Sequence, residues 1–170
     1  VAGTITAKTL TATAPTVVGA TSRTYDGLVT APGVRLAGGS VTGFVGADSG
    51  SLDTGGIGLA YNSAHVTTAT TIAASGTVGL SFTGSASGTG SGTGAGNQVA
   101  GLASDYAYAA PTIASVAGTI TAKTLTATAP TISGTTKGYD GLLSASGSGL
   151  AGGSVTGFVG ADSGSLDTSG

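Results

Sequence analysis

Four aspartates are the residues of this sequence whose type and spacing best fit a chemical role, and that role would be calcium binding. The stretch GADSGSLDTGG places Asp48 and Asp53 in a Gly-rich turn, and Asp162 and Asp167 repeat the arrangement. Calcium prefers carboxylate and backbone oxygens in such loops. The spacing matches neither an EF-hand loop nor a nonapeptide calcium repeat. We therefore interpret these aspartates as turn residues, with calcium as the alternative.

Catalysis requires several ionisable groups, and this sequence offers few. His65 is the single histidine, Cys and Glu are absent, and no nucleophile elbow occurs in a strand–turn–helix setting. One His without Cys gives no zinc pattern. The run GTGSGTGAG lacks the strand and helix that accompany a nucleotide-binding fingerprint. We expect no reaction and no cofactor, and we interpret His65 as a strand-end residue.

The composition favours an ordered β structure. Charged residues make up 7% of the 170 residues, against roughly 25% in an average soluble domain. The net charge of −2 gives no basic stripe for nucleic acid, and no apolar run approaches the ~18 residues of a membrane span. Mean hydropathy is +0.38, whereas disordered chains combine low hydropathy with high charge. We therefore expect neither nucleic-acid binding nor a membrane span.

Strand and turn signals run through the chain. Segments rich in β-branched and aromatic residues are bounded by Gly, Ser, Asp and Pro, which is typical of strands. These segments are TITAKTLTAT, GSVTGFV, IGLAY, HVTTATTIA and TVGLSF. They predict an all-β fold of tandem Ig-like β-sandwiches, with an extended β-solenoid as the alternative. The Gly-rich insert, residues 84–97, is predicted to be a flexible loop.

Internal repetition is the strongest signal. VAGTITAKTLTATAPT occurs at residues 1–16 and 116–131, and LAGGSVTGFVGADSGSLDT at residues 36–54 and 150–168, so the offsets are 115 and 114 residues. A unit of this length is a domain rather than a solenoid rung. We predict that residues 1–14 hold the end of one repeat and a joint strand. Residues 15–129 then form a complete repeat, and residues 130–170 begin the next repeat of a longer array.

The decamer TITAKTLTAT, at residues 4–13 and 119–128, is the predicted joint between repeats, and we call it the joint decamer. Ile5 and Leu10 have opposite parity, so they cannot face the same side of one uninterrupted strand. Either a bulge near Lys8 resets the phase, or the strand buries Ile5 in one domain and Leu10 in the next. We favour the second explanation. The corresponding joint residues of the second copy are Ile120, Lys123 and Leu125.

A Tyr-Asp-Gly tripeptide occurs once in each copy, as Tyr25, Asp26 and Gly27 and again as Tyr139, Asp140 and Gly141. Asp-Gly favours a tight turn, because Gly accepts a positive φ and Asp bonds its own backbone. The preceding Tyr is expected to lie on the sheet with its hydroxyl near polar backbone. A sugar-contacting Tyr is the alternative.

RTYDGLVTA and KGYDGLLSA, together with the joint decamer at this period, resemble the YDG repeats of large secreted bacterial proteins of the filamentous-haemagglutinin type. Asp105 stands where that family usually has Asn, and the Gly-rich insert is a further departure. The resemblance implies a stalk or adhesive module at the surface of a Gram-negative bacterium.

We therefore predict a structural role in an extracellular adhesin or filament. Its partners would be neighbouring copies or adjacent repeats, joined through exposed strand edges. The alternative is a monomeric stalk that binds a glycan or protein ligand through tyrosines. The candidate tyrosines are Tyr25, Tyr61, Tyr106 and Tyr108.

Overall fold

The computed structural model describes residues 2–85, 99–134 and 136–169, which form short β-strands joined by turns. The predicted all-β class is confirmed, and the described residues contain one helical turn, the 3-10 helix Ala103–Asp105. No helix in them is long and apolar enough to cross a membrane. Residues 86–97 of the Gly-rich insert lie outside the described ranges, so the predicted flexible loop stays a prediction.

The described strands are two to five residues long. They are β1 (Lys8–Thr9), β2 (Thr11–Thr13), β3 (Thr16–Gly19), β4 (Ser22–Thr24), β5 (Val34–Ala37), β6 (Ser40–Thr42), β7 (Ser49–Asp53), β8 (Gly58–Tyr61), β9 (Thr71–Ser75), β10 (Gly79–Thr83), β11 (Tyr106–Ala107), β12 (Val116–Ala117), β13 (Thr119–Thr121), β14 (Thr126–Thr128), β15 (Thr131–Ser133), β16 (Gly149–Ala151) and β17 (Ser154–Thr156). We call residues 8–121 the first repeat and residues 126–169 the second repeat.

The first repeat begins with a long antiparallel ribbon, in which β2 pairs with β6 and β3 pairs with β5. The ladder is interrupted where Ala14 and Pro15 lie opposite Gly38 and Gly39, since Pro has no N–H to donate. Gly38 and Gly39 have φ values of +69° and +82°, which residues with a Cβ rarely adopt. The sequence LAGGS thus sets the bend in the ribbon.

The other sheets also have two or three strands. The pair β7–β10 and the sheet β8–β9–β12 are antiparallel. Two pairs are parallel, namely β1 with β11 and β13 with β4. One strand of each parallel pair belongs to a copy of the joint decamer, so this segment pairs with strands that are distant in the sequence.

Apolar side chains of the first repeat form two separate clusters. The cluster that we call A contains the buried residues Val17, Ala31, Tyr61, Ala69, Ile72 and Ile120. The cluster that we call B contains the buried residues Leu10, Val41 and Tyr106, with Phe44, Leu52, Leu80, Phe82 and Tyr108 packed against them. The repeat therefore has two small cores rather than one large core, in keeping with its shortage of large apolar residues.

The second repeat reproduces the ribbon with the same register. Thr126 lies opposite Thr156 and Thr131 opposite Ala151, as Thr11 lies opposite Thr42 and Thr16 opposite Ala37. Identical sequence therefore forms the same local pairing in both places. The strands β14–β17 and β15–β16 complete this part of the ribbon.

One predicted strand is partly wrong. The segment HVTTATTIA was expected to be extended from His65, but β9 starts at Thr71, and Thr68 N and Ala69 N both donate to His65 O. The side chain of Asn62 explains the turn, because its Oδ1 accepts hydrogen bonds from Thr70 N (2.9 Å) and Thr71 N (3.1 Å). The N–H groups of Thr70 and Thr71 are therefore bonded to this side chain rather than to a neighbouring strand. His65 therefore starts a turn rather than ending a strand.

Candidate functional site

The Tyr-Asp-Gly turns are built alike in both repeats. Asp26 Oδ1 accepts a hydrogen bond from Leu28 N at 3.0 Å, and Asp140 Oδ1 accepts one from Leu142 N at 3.0 Å. The glycine that follows each Asp has a positive φ, +80° at Gly27. This geometry is the Asx-type turn that the dipeptide favours.

A cation three residues before each aspartate holds the turn in place. Arg23 forms an ion pair with Asp26 and donates to Thr30 O. Lys137 Nζ lies 2.7 Å from Asp140 Oδ1 and donates to Ser144 O at 2.8 Å. The bond from Lys137 lowers the pKa of Asp140 below its ordinary value. These two ion pairs were not predicted from the sequence, although both copies have a cation at the same position, three residues before the aspartate.

The two signature tyrosines differ in their surroundings. Tyr25 is half-buried against cluster A, and its hydroxyl donates to Asp162 Oδ2 of the second repeat at 3.3 Å. A Cβ placed on Gly27 would lie 3.4 Å from Val159 Cγ1, so the turn comes close to the second repeat at Gly27. Tyr139 is fully exposed (100%). The hydroxyl of Tyr25 therefore bonds a carboxylate of the next repeat, not nearby backbone as expected.

Asp48 is the best-bonded carboxylate of the first repeat. It accepts the hydroxyl of Tyr106 at 2.6 Å, Ser85 N at 2.8 Å and Gly101 N at 3.1 Å. The Tyr106 bond is the main cause of a lowered pKa of Asp48, and the same bond raises the pKa of Tyr106. Val45 N in turn donates to the Tyr106 hydroxyl at 3.0 Å. Asp48 thus fixes β11 and the base of the insert to the loop before β7.

Two of the other predicted metal ligands, Asp53 and Asp167, accept hydrogen bonds within their own turns. Asp53 Oδ1 accepts Gly55 N at 2.9 Å, and Asp167 Oδ1 accepts Ser169 N at 2.9 Å. The described residues include no group of three His, Cys, Asp or Glu side chains placed to hold a metal ion. Calcium binding at Asp48, Asp53, Asp162 and Asp167 stays an untested prediction.

The joint decamer divides its side chains between the two repeats. Ile120 in β13 is 3% exposed and belongs to cluster A of the first repeat. Leu125 lies beside the second repeat, since a Cβ placed on Gly157 would be 3.7 Å from Leu125 Cδ2. The same distance relates Gly43 to Leu10, but Leu10 is 5% exposed whereas Leu125 is 43% exposed. Residues 122–125 between β13 and β14 belong to no strand, so the expected single continuous strand is wrong.

In the first copy of the joint decamer, Leu10 is buried and Ile5 is exposed. Leu10 is 5% exposed and Ile5 is fully exposed (103%), so the expected burial of Ile5 in a neighbouring domain stays a prediction. Ile120, by contrast, packs in cluster A with residues such as Ile72. Lys8 and Lys123 are exposed. The two isoleucines of one repeated motif therefore lie in opposite environments.

A cleft of about 320 Å³ lies where the two repeats meet. Its polar and aromatic lining comes from both sides, and includes Tyr25 and His65 of the first repeat and Phe158 and Asp162 of the second. Lys123 of the joint decamer lies between them. The exposed imidazole of His65 makes no hydrogen bond to another described side chain. The cleft is therefore an aromatic groove with one carboxylate that is already hydrogen-bonded.

The other tyrosines proposed as ligand contacts are engaged within the fold. Tyr61 and Tyr106 are buried, at 4% and 8% exposure, and the hydroxyl of Tyr108 donates to Val78 O at 3.0 Å. Burial removes Tyr61 and Tyr106 as direct contacts for a large ligand. Of the four, Tyr25 alone lines the cleft.

Comparison of the chain with protein-family models, curated proteins and solved structures finds no match.

Proposed function

We propose that the chain is a structural repeat segment of an extracellular bacterial adhesin or filament, built from tandem Ig-like β-sandwich repeats. The observation that carries the proposal is the division of one joint decamer between two repeats. Ile120 is buried in the first repeat, while Leu125, five residues later, is 43% exposed and lies beside Gly157 of the second. A joint of this kind limits the freedom of one repeat relative to the next, as a stalk or fibre requires.

The junction contacts support the same role. Tyr25 bonds Asp162, and the turn at Gly27 touches Val159, so the repeats are held by side chains as well as by the covalent joint. Low charge favours close packing of repeats, because nearly uncharged surfaces do not repel one another strongly. The resemblance to YDG repeats adds the cell surface as the location. The proposal includes no reaction and no cofactor.

Sedimentation velocity and electron microscopy of the 170-residue chain test the proposal. We expect the weight-average mass to rise with concentration, and we expect ordered fibres whose axial period matches one repeat. A chain that stays monomeric at high concentration and forms no fibres would contradict self-association.

The aromatic cleft at the junction favours a second candidate, a monomeric stalk that binds a glycan. Tyr25 and Phe158 offer ring surfaces there, and Asp162 offers a carboxylate. A glycan array probed with monodisperse protein would support this function if the signal disappears in Tyr25→Ala and persists in Tyr139→Ala. An array without signal at concentrations that detect weak lectins would exclude it.

A further inference from the structure

Tension applied along the chain enters and leaves the first repeat through the joint decamer. The strand that enters the repeat is β1, in the first copy of the decamer, and the strand that leaves it is β13, in the second copy. Each of these strands is paired with a parallel partner, β1 with β11 and β13 with β4. We call β1–β11 and β13–β4 the joint pairs. The same kind of strand pairing therefore holds both ends of the repeat.

The parallel direction decides how tension acts on a joint pair. Tension pulls β1 toward its N-terminal end, whereas the chain after β11 leads on to β13 and is pulled the opposite way. In the other joint pair, tension pulls β13 toward its C-terminal end, and the chain before β4 leads back to β1. Because the strands of each pair run in the same direction, opposite pulls make them slide past each other. The hydrogen bonds between them, such as Thr119 N to Thr21 O (2.9 Å) and Tyr25 N to Thr121 O (2.8 Å), then share the load.

The antiparallel ribbon responds to tension differently. Thr11 begins β2 and lies opposite Thr42, which ends β6. Tension on Thr11 therefore separates the ribbon at one end and opens its hydrogen bonds one after another. Leu10 alone lies between β1 and β2. The pair β1–β11 consequently shields the ribbon from tension until that pair breaks.

Each joint pair also fixes a buried side chain. Leu10 directly follows β1, is 5% exposed and belongs with Tyr106 of β11 to cluster B. Leu10 N donates to Ala107 O at 2.9 Å. Ile120 is the central residue of β13, is 3% exposed and belongs to cluster A. Sliding of either pair would draw an apolar side chain out of its cluster, so loss of burial adds to the loss of hydrogen bonds.

The partner strands are tied to the rest of the repeat by polar side chains. In β11, the hydroxyl of Tyr106 donates to Asp48 Oδ2 at 2.6 Å. In β4, Arg23 forms an ion pair with Asp26 and donates to Thr30 O. Each strand that bears tension is therefore paired with a strand that is itself anchored.

We propose that the joint pairs make the repeat a load-bearing unit, which transmits tension along the chain without unfolding. The repeat unfolds under load when a joint pair slides, and the ribbon then opens at lower force. This inference rests on the proposed structural function and adds a mechanical role to it.

Single-molecule force spectroscopy tests the effect of pulling direction, and handles can be attached at chosen residues because the chain has no cysteine of its own. Thr6→Cys with Lys123→Cys loads both joint pairs along the chain. Thr11→Cys with Thr42→Cys is the matched control, because its handles lie on opposed residues of the ribbon. All four side chains are exposed, so both double variants should fold and share one urea midpoint.

The variant with handles at 6 and 123 should resist load better than the control. At the same loading rate its unfolding force should be at least about twofold higher, because its unfolding rate depends on hydrogen bonds that break together. The event should release residues 8–121 in one step, a contour length of roughly 40 nm at about 3.6 Å per residue.

Handles on one joint pair at a time give an independent readout. Thr6→Cys with Ala109→Cys pulls β1 and β11 in opposite directions, and Ala20→Cys with Lys123→Cys does the same for β4 and β13. These side chains are exposed as well. Both variants should unfold at higher force than the control with handles at 11 and 42.

Equal unfolding forces for the 6–123 and 11–42 variants would overturn the inference, as would release of residues 8–121 in many small steps that begin at low force. Either result leaves the proposed function standing, since self-association is measured separately by sedimentation and microscopy. A chain that resists load but never associates would support the inference and contradict self-association.

Discussion

Tyr25 and Asp162 are 137 positions apart, and their side chains are joined by a hydrogen bond of 3.3 Å from the phenol to Oδ2. The partner positions in the first repeat are used differently, because Asp48 accepts Tyr106 of its own repeat at 2.6 Å. Equivalent aspartates of the two repeats therefore make two kinds of contact. Asp48 bonds a tyrosine of its own repeat, and Asp162 bonds a tyrosine of the preceding repeat across the junction.

Tyr25→Phe should loosen the junction without unfolding either repeat. The ring stays packed against cluster A, and only the bond to Asp162 is lost. For an exposed hydrogen bond to a carboxylate, we expect amide exchange at residues 159–162 to rise roughly twofold to fivefold, which corresponds to about 0.5–1 kcal/mol. Hydrogen–deuterium exchange with mass spectrometry measures the change.

Tyr139→Phe is the matched control for Tyr25→Phe, since Tyr139 is fully exposed and makes no junction contact within one chain. Dilute, monomeric protein should be used, so that contacts between chains do not contribute. Unchanged exchange at residues 159–162 in Tyr25→Phe would show that the bond contributes nothing to the junction.

The isoleucines of the joint decamer give a comparison inside one molecule. Ile120→Ala removes a side chain that is 3% exposed, and should destabilise the first repeat by about 2–5 kcal/mol. Ile5→Ala changes an exposed residue within the same four-residue context and should alter stability by less than about 0.5 kcal/mol. Urea unfolding followed by circular dichroism measures both. Equal effects would mean that Ile120 is not held in the core.

The glycine two residues before each isoleucine gives a second comparison. A Cβ on Gly118 would lie 2.6 Å from Ile72 Cγ1 and 3.1 Å from Tyr61 Cε1, whereas a Cβ on Gly3 would meet nothing within 4 Å. Gly118→Ala should therefore cost about 1–3 kcal/mol through overpacking. Gly3→Ala should leave the urea midpoint unchanged. A tolerated Gly118→Ala would contradict the close approach of the joint to cluster A.

Local chemistry could be predicted from the sequence, and contacts between distant residues could not. The Asp26-Gly27 turn follows from two adjacent residues and forms in both copies. The parity of Ile5 and Leu10 indicated that one face of a continuous strand could not hold both, and it left a bulge near Lys8 and a bridge as alternatives. In the second copy the strand is interrupted at residues 122–125, which include the counterpart of Lys8 and pair with no strand.

Two further features depended on groups that no local pattern connects. The bond between Tyr106 and Asp48 joins residues 58 positions apart and requires β11 to lie beside β1. The turn at His65 arises because the Asn62 side chain bonds the backbone of Thr70 and Thr71, which overrides the β propensity of the threonines. Neither the Tyr106–Asp48 bond nor the turn at His65 can be predicted from the periodicity of the sequence.

The bond between Tyr106 and Asp48 should make the stability of the first repeat fall at both ends of the pH range. The pKa of Asp48 is lowered from 3.8, so the carboxylate stabilises the fold above that pH, and this stability is lost as pH falls through the lower folded value. The pKa of Tyr106 is raised from 10.0, so its contribution is present below pH 10 and is lost as pH rises through the higher folded value.

Tyr106→Phe tests this linkage, because the ring contacts with Phe44 and Phe82, both at 5.4 Å between centroids, can remain. The variant should have a lower urea midpoint at pH 7 and a smaller further loss below pH 3.8 than the unmodified chain. At alkaline pH some loss should remain, since burial also raises the pKa of Tyr108. Tyr139→Phe should reproduce the unmodified profile. If Tyr106→Phe and the unmodified chain lose stability in parallel below pH 3.8, Asp48 is not stabilised by the phenol.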